Sequence, residues 1–298
     1  MTGRIAMAPV QIMLAVMMLA GMAIWHQPGF ARAQTWSCDV PASASPAASP
    51  RPAATPQPVA FPDEGGKLTI FAAASLTDAF TKMADDLKTA HPNLDITFNF
   101  AGSQALVTQI AEGGAQADVL ALASPAQMKS AVEEGIPAEG SATFVTNRLT
   151  VVVPADNPAG IASVADLAKD GVRLVLANPD VPAGNYARQS LCNAAAAGGP
   201  SVDDYAANIV SEEDNVRSVL TKVELGEGDA GIVYVTDALT SGDKVRSIEI
   251  PADQNVIASY PIATIGDNPL AAAFVGYVFS PEGQATLATF GFNPVSAT

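Results

Sequence analysis

Between residues 66 and 298 the chain alternates short apolar runs with segments whose apolar residues recur at helical spacing. After the first run, for example, Leu76, Phe80, Met83 and Leu87 would share one buried helix face. This βαβ rhythm predicts an α/β fold with mainly parallel sheets flanked by helices. The runs of strand type are residues 68–71, 94–100, 119–122, 149–153, 174–177, 231–235, 245–250 and 260–263.

Two of these runs are expected to join two lobes. Residues 149–153 and 245–250 are extended crossings, about a hundred residues apart. Two such crossings between α/β lobes make a hinge, with a ligand held in the cleft between the lobes. We therefore predict lobe 1 over residues 66–146 and 248–298, and lobe 2 over residues 147–247.

The first strand–helix junction carries a serine. Ser75 is followed three residues later by Asp78, which gives an S-x-x-D capping box and predicts that Ser75 caps the helix. The first-turn N–H groups of a helix lack internal partners and lie at the positive end of its dipole, so they can hold an anion. The alternative is that Ser75 only caps its own helix.

The next strand–helix unit repeats this arrangement. The alternating run at residues 94–100 turns at Ala101-Gly102 and reaches Ser103, after which helical spacing resumes. In open α/β sheets, ligands lie at the carboxyl ends of strands, where helix N-termini converge. Two serines in equivalent places therefore favour a shared anion site.

Three later segments offer further polar groups. Residues 177–186, ANPDVPAGNY, enter a helix through a Pro-Ala-Gly loop with exposed amides, or form an ordinary loop. Residues 212–216, EEDNV, open another helix, which Asp214 or Asn215 would cap. Tyr234 lies late in a strand and is either a ligand-binding hydroxyl or half-buried core.

Composition excludes several classes of function. The formal net charge is −15, so binding to nucleic acid or to an anionic membrane surface is not expected. The two histidines, His26 and His91, and the two cysteines lack the spacing of metal ligands. No base and no G-x-S-x-G or S-x-x-K motif accompanies Ser75, so we do not expect an enzyme.

The N-terminal region indicates export. Arg4, the apolar residues 7–25 and an A-x-A site at residues 31–33 predict a signal peptide over residues 1–33, with an uncleaved membrane anchor as the alternative. Residues 34–65 are rich in Pro, Ala and Ser and predict a disordered tether. The protein is therefore expected in the periplasm or at the outer face of the cell membrane. Export permits a disulfide between Cys38 and Cys192, but the sequence leaves both pairing and free thiols open.

Five short motifs occur in an order that resembles a known family. They are AAASL at residues 72–76, FAGS at 100–103, VPAGNYA at 181–187, EDNVR at 213–217 and GIVY at 231–234. Over residues 66–298 the chain resembles the molybdate-binding proteins of bacterial ABC transporters, which are periplasmic solute-binding proteins of type II fold.

The resemblance implies a two-lobed protein that closes on molybdate or tungstate and passes it to a membrane permease. It implies a monomer without a cofactor, in which molybdenum is present only as bound molybdate. Its oxyanion-binding residues would be Ser75 and Ser103 through hydroxyl and amide, Ala183 and Val216 through backbone amides, and Tyr234 through its hydroxyl. Gly102, where some relatives have serine, departs from the family pattern.

Other ligands and roles remain open at this point. The same fold could bind sulfate, phosphate or a small organic anion. An organic anion usually recruits an arginine clamp, for which Arg148, Arg188 and Arg217 are candidates. A third alternative is an envelope interaction protein with a vestigial pocket.

Overall fold

A computed structural model describes Trp36, Cys38, residues 60–138 and residues 140–295 of the protein. The predicted signal peptide or anchor at residues 1–33 and most of the predicted tether lie outside these residues. Within the described part of the chain, no helix is both long enough and apolar enough to cross a membrane.

Strands and helices alternate through the described residues, as the sequence predicts. The strands are β1 (Gly66–Ala73), β2 (Leu94–Ala101), β3 (Val119–Ala121), β4 (Ala142–Pro154), β5 (Leu174–Ala177), β6 (Ile209–Glu213), β7 (Ala230–Tyr234), β8 (Val245–Glu249), β9 (Ile257–Thr264) and β10 (Asn293–Pro294). The helices are α1 (Thr77–Ala90), α2 (Ser103–Ala111), α3 (Pro125–Glu133), α4 (Pro182–Ala196), α5 (Val202–Ala207), α6 (Val216–Glu224), α7 (Val235–Thr240), α8 (Pro269–Phe279) and α9 (Pro281–Thr289). Short 3₁₀ turns occupy Ala74–Leu76, Val164–Ala168 and Gly242–Lys244.

The strands form a mixed sheet in the order β2-β1-β3-β9-β4-β7-β5-β6, with β8 and β10 also paired to β4. The pairing is parallel between β1 and its neighbours β2 and β3 and between β5 and its neighbours β6 and β7. It is antiparallel around β4 and β9. The α/β fold class is therefore confirmed, and the expected parallel pairing is confined to the two ends of the sheet.

Strand β4 holds the two ends together. Up to Arg148 it pairs with β9, and from Leu149 onward it pairs with β7 and, one residue later, with β8. At this change of partners the Asn255 side chain accepts a hydrogen bond from the Leu149 N–H at 3.0 Å and donates to the Leu149 carbonyl at 2.9 Å. The side-chain amide of Asn255 thus takes the place of a strand partner for the backbone of Leu149.

The sequence did not predict the strands β6 and β10 or the first half of β4. The first half of β4, ATFVTNR, is too polar to read as a buried run, and β6 ends in Glu212 and Glu213. We expected these two glutamates to open a helix, but the helix begins at Val216, and Asn215 caps it by accepting from the Ser218 N–H at 3.0 Å. The end of β6 tolerates charge because Glu212 pairs with Arg188 and Glu213 with Lys222.

The capping role predicted for Ser75 is wrong. Ser75 lies inside the 3₁₀ turn Ala74–Leu76, and α1 begins only at Thr77 with no side-chain cap. The Ser75 hydroxyl is instead 3.0 Å from the Tyr260 hydroxyl, in a buried hydrogen bond between residues 185 positions apart. Asp78 does not complete a capping box, because its carboxylate pairs with Arg217.

An aromatic cluster packs beneath this junction. Phe80 of α1 lies 5.9 Å from Phe144, which meets Tyr260 edge-on at 6.4 Å, and Tyr260 meets Tyr234 at 5.7 Å. All four rings are buried. Rings in such tilted and edge-on contacts add packing energy to the area that they bury, so the cluster fixes the carboxyl end of β7 against β9.

The described residues of the predicted tether are attached to the body. Cys38 forms a disulfide with Cys192 of α4, and Arg188 stacks on Trp36, with the guanidinium carbon 5.7 Å from the ring centroid. At the other end of this segment, Phe61 packs against His91 at 5.0 Å between ring centroids. The disulfide question that the sequence leaves open is thereby answered in favour of pairing.

Breaking the disulfide should destabilise the protein. Cys192→Ser is expected to lower the free energy of unfolding by about 2–4 kcal/mol, because the crosslink restricts the unfolded chain. Urea denaturation measures this loss. Cys38→Ser is the matched control, since it breaks the same bond. The double variant should be no less stable than either single one, and additive losses would contradict the pairing.

Candidate functional site

A small cavity lies where β1, β2, β5 and β7 end. One wall, here called the first wall, consists of residues 73–75, 101–103 and 123. The second wall consists of residues 181–183, 215–216 and 234. The cavity is narrow, with a free volume of about 10 Å³. The cavity therefore suits a compact ligand and not an extended organic one.

All five residues predicted to bind an oxyanion line this one cavity. Ser75 and Ser103 belong to the first wall, and Ala183, Val216 and Tyr234 to the second. The segments that carry them are far apart in sequence, and parallel pairing brings the ends of their strands together.

Helix N-termini supply most of the lining. Ser103 is the first residue of α2, Ala183 the second residue of α4, and Val216 the first residue of α6. Pro182 starts α4 and has no N–H of its own, which leaves the Ala183 amide as an early free donor. Because first-turn amides lack helical partners and carry partial positive charge, the cavity is suited to an anion.

The Tyr234 hydroxyl is the least satisfied polar group on the wall. Tyr234 ends β7 with only 1% of its surface exposed, and its hydroxyl has no hydrogen-bond partner among the described residues. Burial raises the pKa of this hydroxyl well above its ordinary value, so it keeps its proton. A buried donor without a partner is costly, and it therefore indicates a ligand that accepts a hydrogen bond.

None of the residues lining the cavity is charged. The three arginines considered for an organic anion are each turned to a carboxylate: Arg148 lies 4.0 Å from Glu249, Arg188 pairs with Glu212, and Arg217 pairs with Asp78. Arg188 also donates to the Ala177 and Gly184 carbonyls at 2.8 and 2.9 Å. It therefore supports the loop before α4 instead of binding in the cavity.

Arg217 connects the two walls from just outside the cavity. Its guanidinium lies 2.5 Å from Asp78, next to the first wall, and 2.6 Å from Asp237, which is fully buried in α7. The contact with Asp237 is a close ion pair in which the N–H is not aligned for a hydrogen bond. Burial lowers the pKa of Arg217, but the two carboxylates outweigh burial and raise it, so Arg217 stays charged.

Two glutamine side chains also join the walls. Gln104 donates to the Asp214 carbonyl at 3.1 Å, and Gln127 donates to the Asp180 carbonyl at 3.2 Å. Gly102 brings the walls close, because a Cβ there would lie 2.4 Å from the Asp214 carbonyl oxygen. The cavity in this structure is therefore closed over by contacts between its two walls.

Sequence reasoning missed the groups that stand behind the wall. The Ala123 N–H donates to the Ser103 hydroxyl at 3.0 Å, and Tyr260 bonds to Ser75. The buried carboxylate of Asp237, which pairs with Arg217, is another such group. No local pattern marks these residues, because each acts on a partner from another segment of the chain.

Asp237 should make stability depend on pH. Burial raises the pKa of its carboxyl to about 6, against the opposing effect of Arg217. The folded protein thus holds this proton more tightly than the unfolded chain, and the stability it contributes is lost as the pH rises through about 6. Relative to Asp237→Asn, the free energy of unfolding should fall by on the order of 3 kcal/mol between about pH 4 and 7.

Urea denaturation across this pH range measures the effect. Asp243→Asn removes an exposed carboxylate nearby and serves as the control, since its curve should parallel that of the wild type. A parallel curve for Asp237→Asn would contradict the buried titration.

Comparisons with known proteins identify the family of the chain. Residues 68–293 match the family of bacterial extracellular solute-binding proteins. The molybdate-binding protein ModA of Mycobacterium tuberculosis is 38% identical over 238 residues, which cover 78% of this chain and 86% of that protein. The Escherichia coli ModA is 33% identical over 241 residues, covering 76% and 89%.

A solved structure gives the same answer for the fold. The substrate-binding domain assigned to a molybdenum ABC transporter of Clostridium difficile superposes with a TM-score of 0.57 at 29% identity, covering 77% of this chain and 99% of that one. Proteins of this kind are transport binding proteins and not enzymes, which agrees with the absence of a catalytic motif. The chain therefore belongs to the family of bacterial extracellular solute-binding proteins of ABC transporters, and its resemblance to the molybdate-binding members is confirmed.

Proposed function

We propose that the protein binds molybdate, and also tungstate, in this cavity and delivers it to an ABC permease. The observation that carries the proposal is the buried Tyr234 hydroxyl, a donor without a partner on a wall of neutral groups. Ser75, Ser103, Ala183 and Val216 would supply the other hydrogen bonds. The relatives named for molybdate support this choice among tetrahedral oxyanions.

Neutral donors alone can hold a dianion. Hydrogen bonds to a charged acceptor contribute roughly 1.5–3 kcal/mol each. Several of them together can exceed the roughly 8 kcal/mol that micromolar affinity requires, and the cost of ordering the site is subtracted from that sum. Because the hydroxyls and amides on the wall would all donate, the site needs no arginine. The size of the cavity would separate molybdate from smaller oxyanions.

The ligand would bridge two lobes that close on it. We assign residues 66–146 and 248–298 to lobe 1 and residues 147–247 to lobe 2, so that the two walls belong to different lobes. The contacts of Arg217, Gln104 and Gln127 would then form on closure, and β4 would be one strand of the hinge. A ligand that touches both walls favours the closed state of the protein. Only in that state can the donor groups of both walls bind the ligand at once.

The setting of this function would be extracytoplasmic. We infer that residues 1–33 direct export, as a cleaved signal peptide or a retained anchor, and that the protein acts as a monomer in the periplasm or at the outer face of the membrane. Its partners would be the oxyanion and a permease, and not nucleic acid, in keeping with the net charge of −15.

Calorimetric titration of the full chain with molybdate, tungstate, sulfate and phosphate tests the proposal. We expect one-to-one binding of the first two anions with micromolar or tighter affinity, and much weaker binding of the others. Preference for sulfate or phosphate would keep the fold and change the ligand. Absence of binding to all four would overturn the proposed function.

Serine variants locate the ligand. Ser103→Ala and Ser75→Ala should each weaken molybdate binding about 10- to 100-fold, because each removes a donor to a charged acceptor. Ser190→Ala is the matched control, since Ser190 is equally buried, lies outside the cavity and has no hydrogen-bond partner among the described residues. Equal affinities for all three variants would exclude this cavity as the site.

Closure of the two lobes should be sensitive to the addition of a side chain at Gly102. Its backbone is extended, with φ −60° and ψ 140°, so alanine is conformationally allowed there. Its Cβ would nevertheless press on the Asp214 carbonyl across the cavity. We expect Gly102→Ala to weaken molybdate binding about tenfold or more, by the usual cost of overpacking. Gly140→Ala, in open space, is the control, and unchanged affinity of Gly102→Ala would contradict closure.

A further inference from the structure

The position of the Ala183 amide depends on how closely the first turn of α4 lies against the end of β5. Gly184 marks this contact, because a Cβ there would lie 2.3 Å from the Ala177 carbonyl oxygen and 2.1 Å from that of Asn178. No side chain fits into so small a space, so the helix turn and the strand end are in direct backbone contact. A change in this contact would move Ala183 on the second wall of the cavity.

Arg188 bonds across this contact. Its Nη1 donates to the Ala177 carbonyl at 2.8 Å and to the Gly184 carbonyl at 2.9 Å. The first carbonyl ends β5 and the second belongs to the first turn of α4, so one guanidinium ties the strand to the helix. Hydrogen bonds from a cation are roughly twice as strong as those between neutral groups. Arg188 therefore fixes the turn that carries Ala183.

The Arg188 guanidinium is buried, and its partners replace the water that it has lost. Only 7% of the residue is exposed, and burial lowers its pKa against the opposing effect of the Glu212 carboxylate. An arginine nevertheless stays protonated in proteins. Glu212 pairs with one edge of the group, and the guanidinium carbon lies over the indole of Trp36, 5.7 Å from the ring centroid. A cation over an aromatic ring is stabilised more strongly where water is excluded, so Trp36 supports the buried charge.

The disulfide attaches Trp36 to the same helix. Cys38 follows two residues after Trp36 and bonds to Cys192, which lies one helical turn after Arg188 in α4. Residues four apart share one face of a helix, so the disulfide and the indole contact adjacent positions of α4. A segment rich in Pro, Ala and Ser does not hold a fixed position by itself. The crosslink therefore keeps the indole of Trp36 against Arg188.

We propose that Trp36 and Arg188 are positioning residues of the oxyanion site, which keep the Ala183 amide directed into the cavity. The disulfide of Cys38 and Cys192 keeps Trp36 in place, so anion affinity depends on the redox state of that bond. Cys38 is exposed, and a reductant in solution reaches it. The inference rests on the proposed function and gives a role in binding to a segment that has the composition of a tether.

Trp36→Ala tests the contact with Arg188. We expect molybdate binding, measured by calorimetric titration of the full chain, to weaken about three- to tenfold, because the guanidinium loses the ring that supports it. Trp36→Phe retains an aromatic face and should keep most of the affinity. Wild-type affinity of Trp36→Ala would overturn the inference while leaving the proposed function intact. A wild-type protein that binds no oxyanion would overturn both.

Phe61→Ala is the matched control. Phe61 belongs to the same N-terminal segment, but it packs on His91 at the end of α1, and neither residue lines the cavity. The variant should lose stability in urea denaturation, since a partly buried ring is removed, and should keep the molybdate affinity of the wild type. A loss of affinity equal to that of Trp36→Ala would mean that the segment acts only through overall stability, and it would overturn the inference.

Reduction of the disulfide tests the second step. Dithiothreitol transfers two electrons and two protons to the bond, which gives two thiols, and is itself oxidised to its cyclic disulfide. The reductant is removed under argon before the titration, so that it does not meet the anion. We expect the reduced wild type to bind molybdate about three- to tenfold more weakly. Cys38→Ser should show the same lowered affinity with and without this treatment, and wild-type affinity of the reduced protein would contradict the role of the disulfide.

A double-mutant cycle shows whether Trp36 acts through Arg188. Arg188→Lys keeps a charge opposite Glu212 but lacks the planar fork that reaches two carbonyls, and it should weaken molybdate binding about tenfold. In this background Trp36→Ala should have no further effect on affinity. Equal losses in both backgrounds would overturn the assignment of Trp36. Circular dichroism reports whether each form folds, and Trp36→Ala, which retains the disulfide, remains decisive where Arg188→Lys or the reduced protein does not fold.

Discussion

The continuous pairing of β4 is the constraint on which the rest of the structure depends. This one strand bonds to β9 along its first half and to β7 and β8 along its second. It therefore fixes the position of β9, which carries Tyr260, relative to β7, which ends in Tyr234. Asn147 and Leu149 flank the point where the partners change, and the side chains of Thr236 and Asn255 satisfy them there. A defect at this point would shift both walls of the cavity at once.

Charged side chains lie near the cavity, but none of them lines it. Arg217 is balanced by two carboxylates, and Arg188 is balanced by Glu212 while it braces the loop before α4. An arginine on the wall would bind many anions strongly and would need a matching carboxylate when the cavity is empty. Backbone amides and hydroxyls avoid this cost, because their dipoles are oriented by helices that the fold requires in any case. The negative net charge is compatible with such a site, since surface charges more than about 8 Å away are largely screened.

The disulfide and the aromatic packing extend the body beyond the sheet. Cys38 and Trp36 lie in a segment with the composition of a flexible tether, yet a covalent bond and an arginine–indole stack attach them to α4. Phe61 likewise packs on His91 before β1 begins. Composition predicts the conformational freedom of such a segment correctly only where no tertiary partner intervenes.

The sequence by itself determined the alternation of strands and helices, the order along the chain of five residues that line the cavity, and the neutral character of the site. These features are local, since periodicity, glycine and proline loops and short motifs act within a few residues. Only the tertiary structure decided that Ser75 bonds to Tyr260 instead of capping α1, that Glu212 and Glu213 end a strand, that Cys38 meets Cys192 and that Arg217 joins Asp78 to Asp237. Each of these depends on which buried polar or charged group lies opposite. A hydroxyl or a carboxylate takes the partner that best offsets its loss of water, and that partner comes from a strand or helix that is remote in sequence.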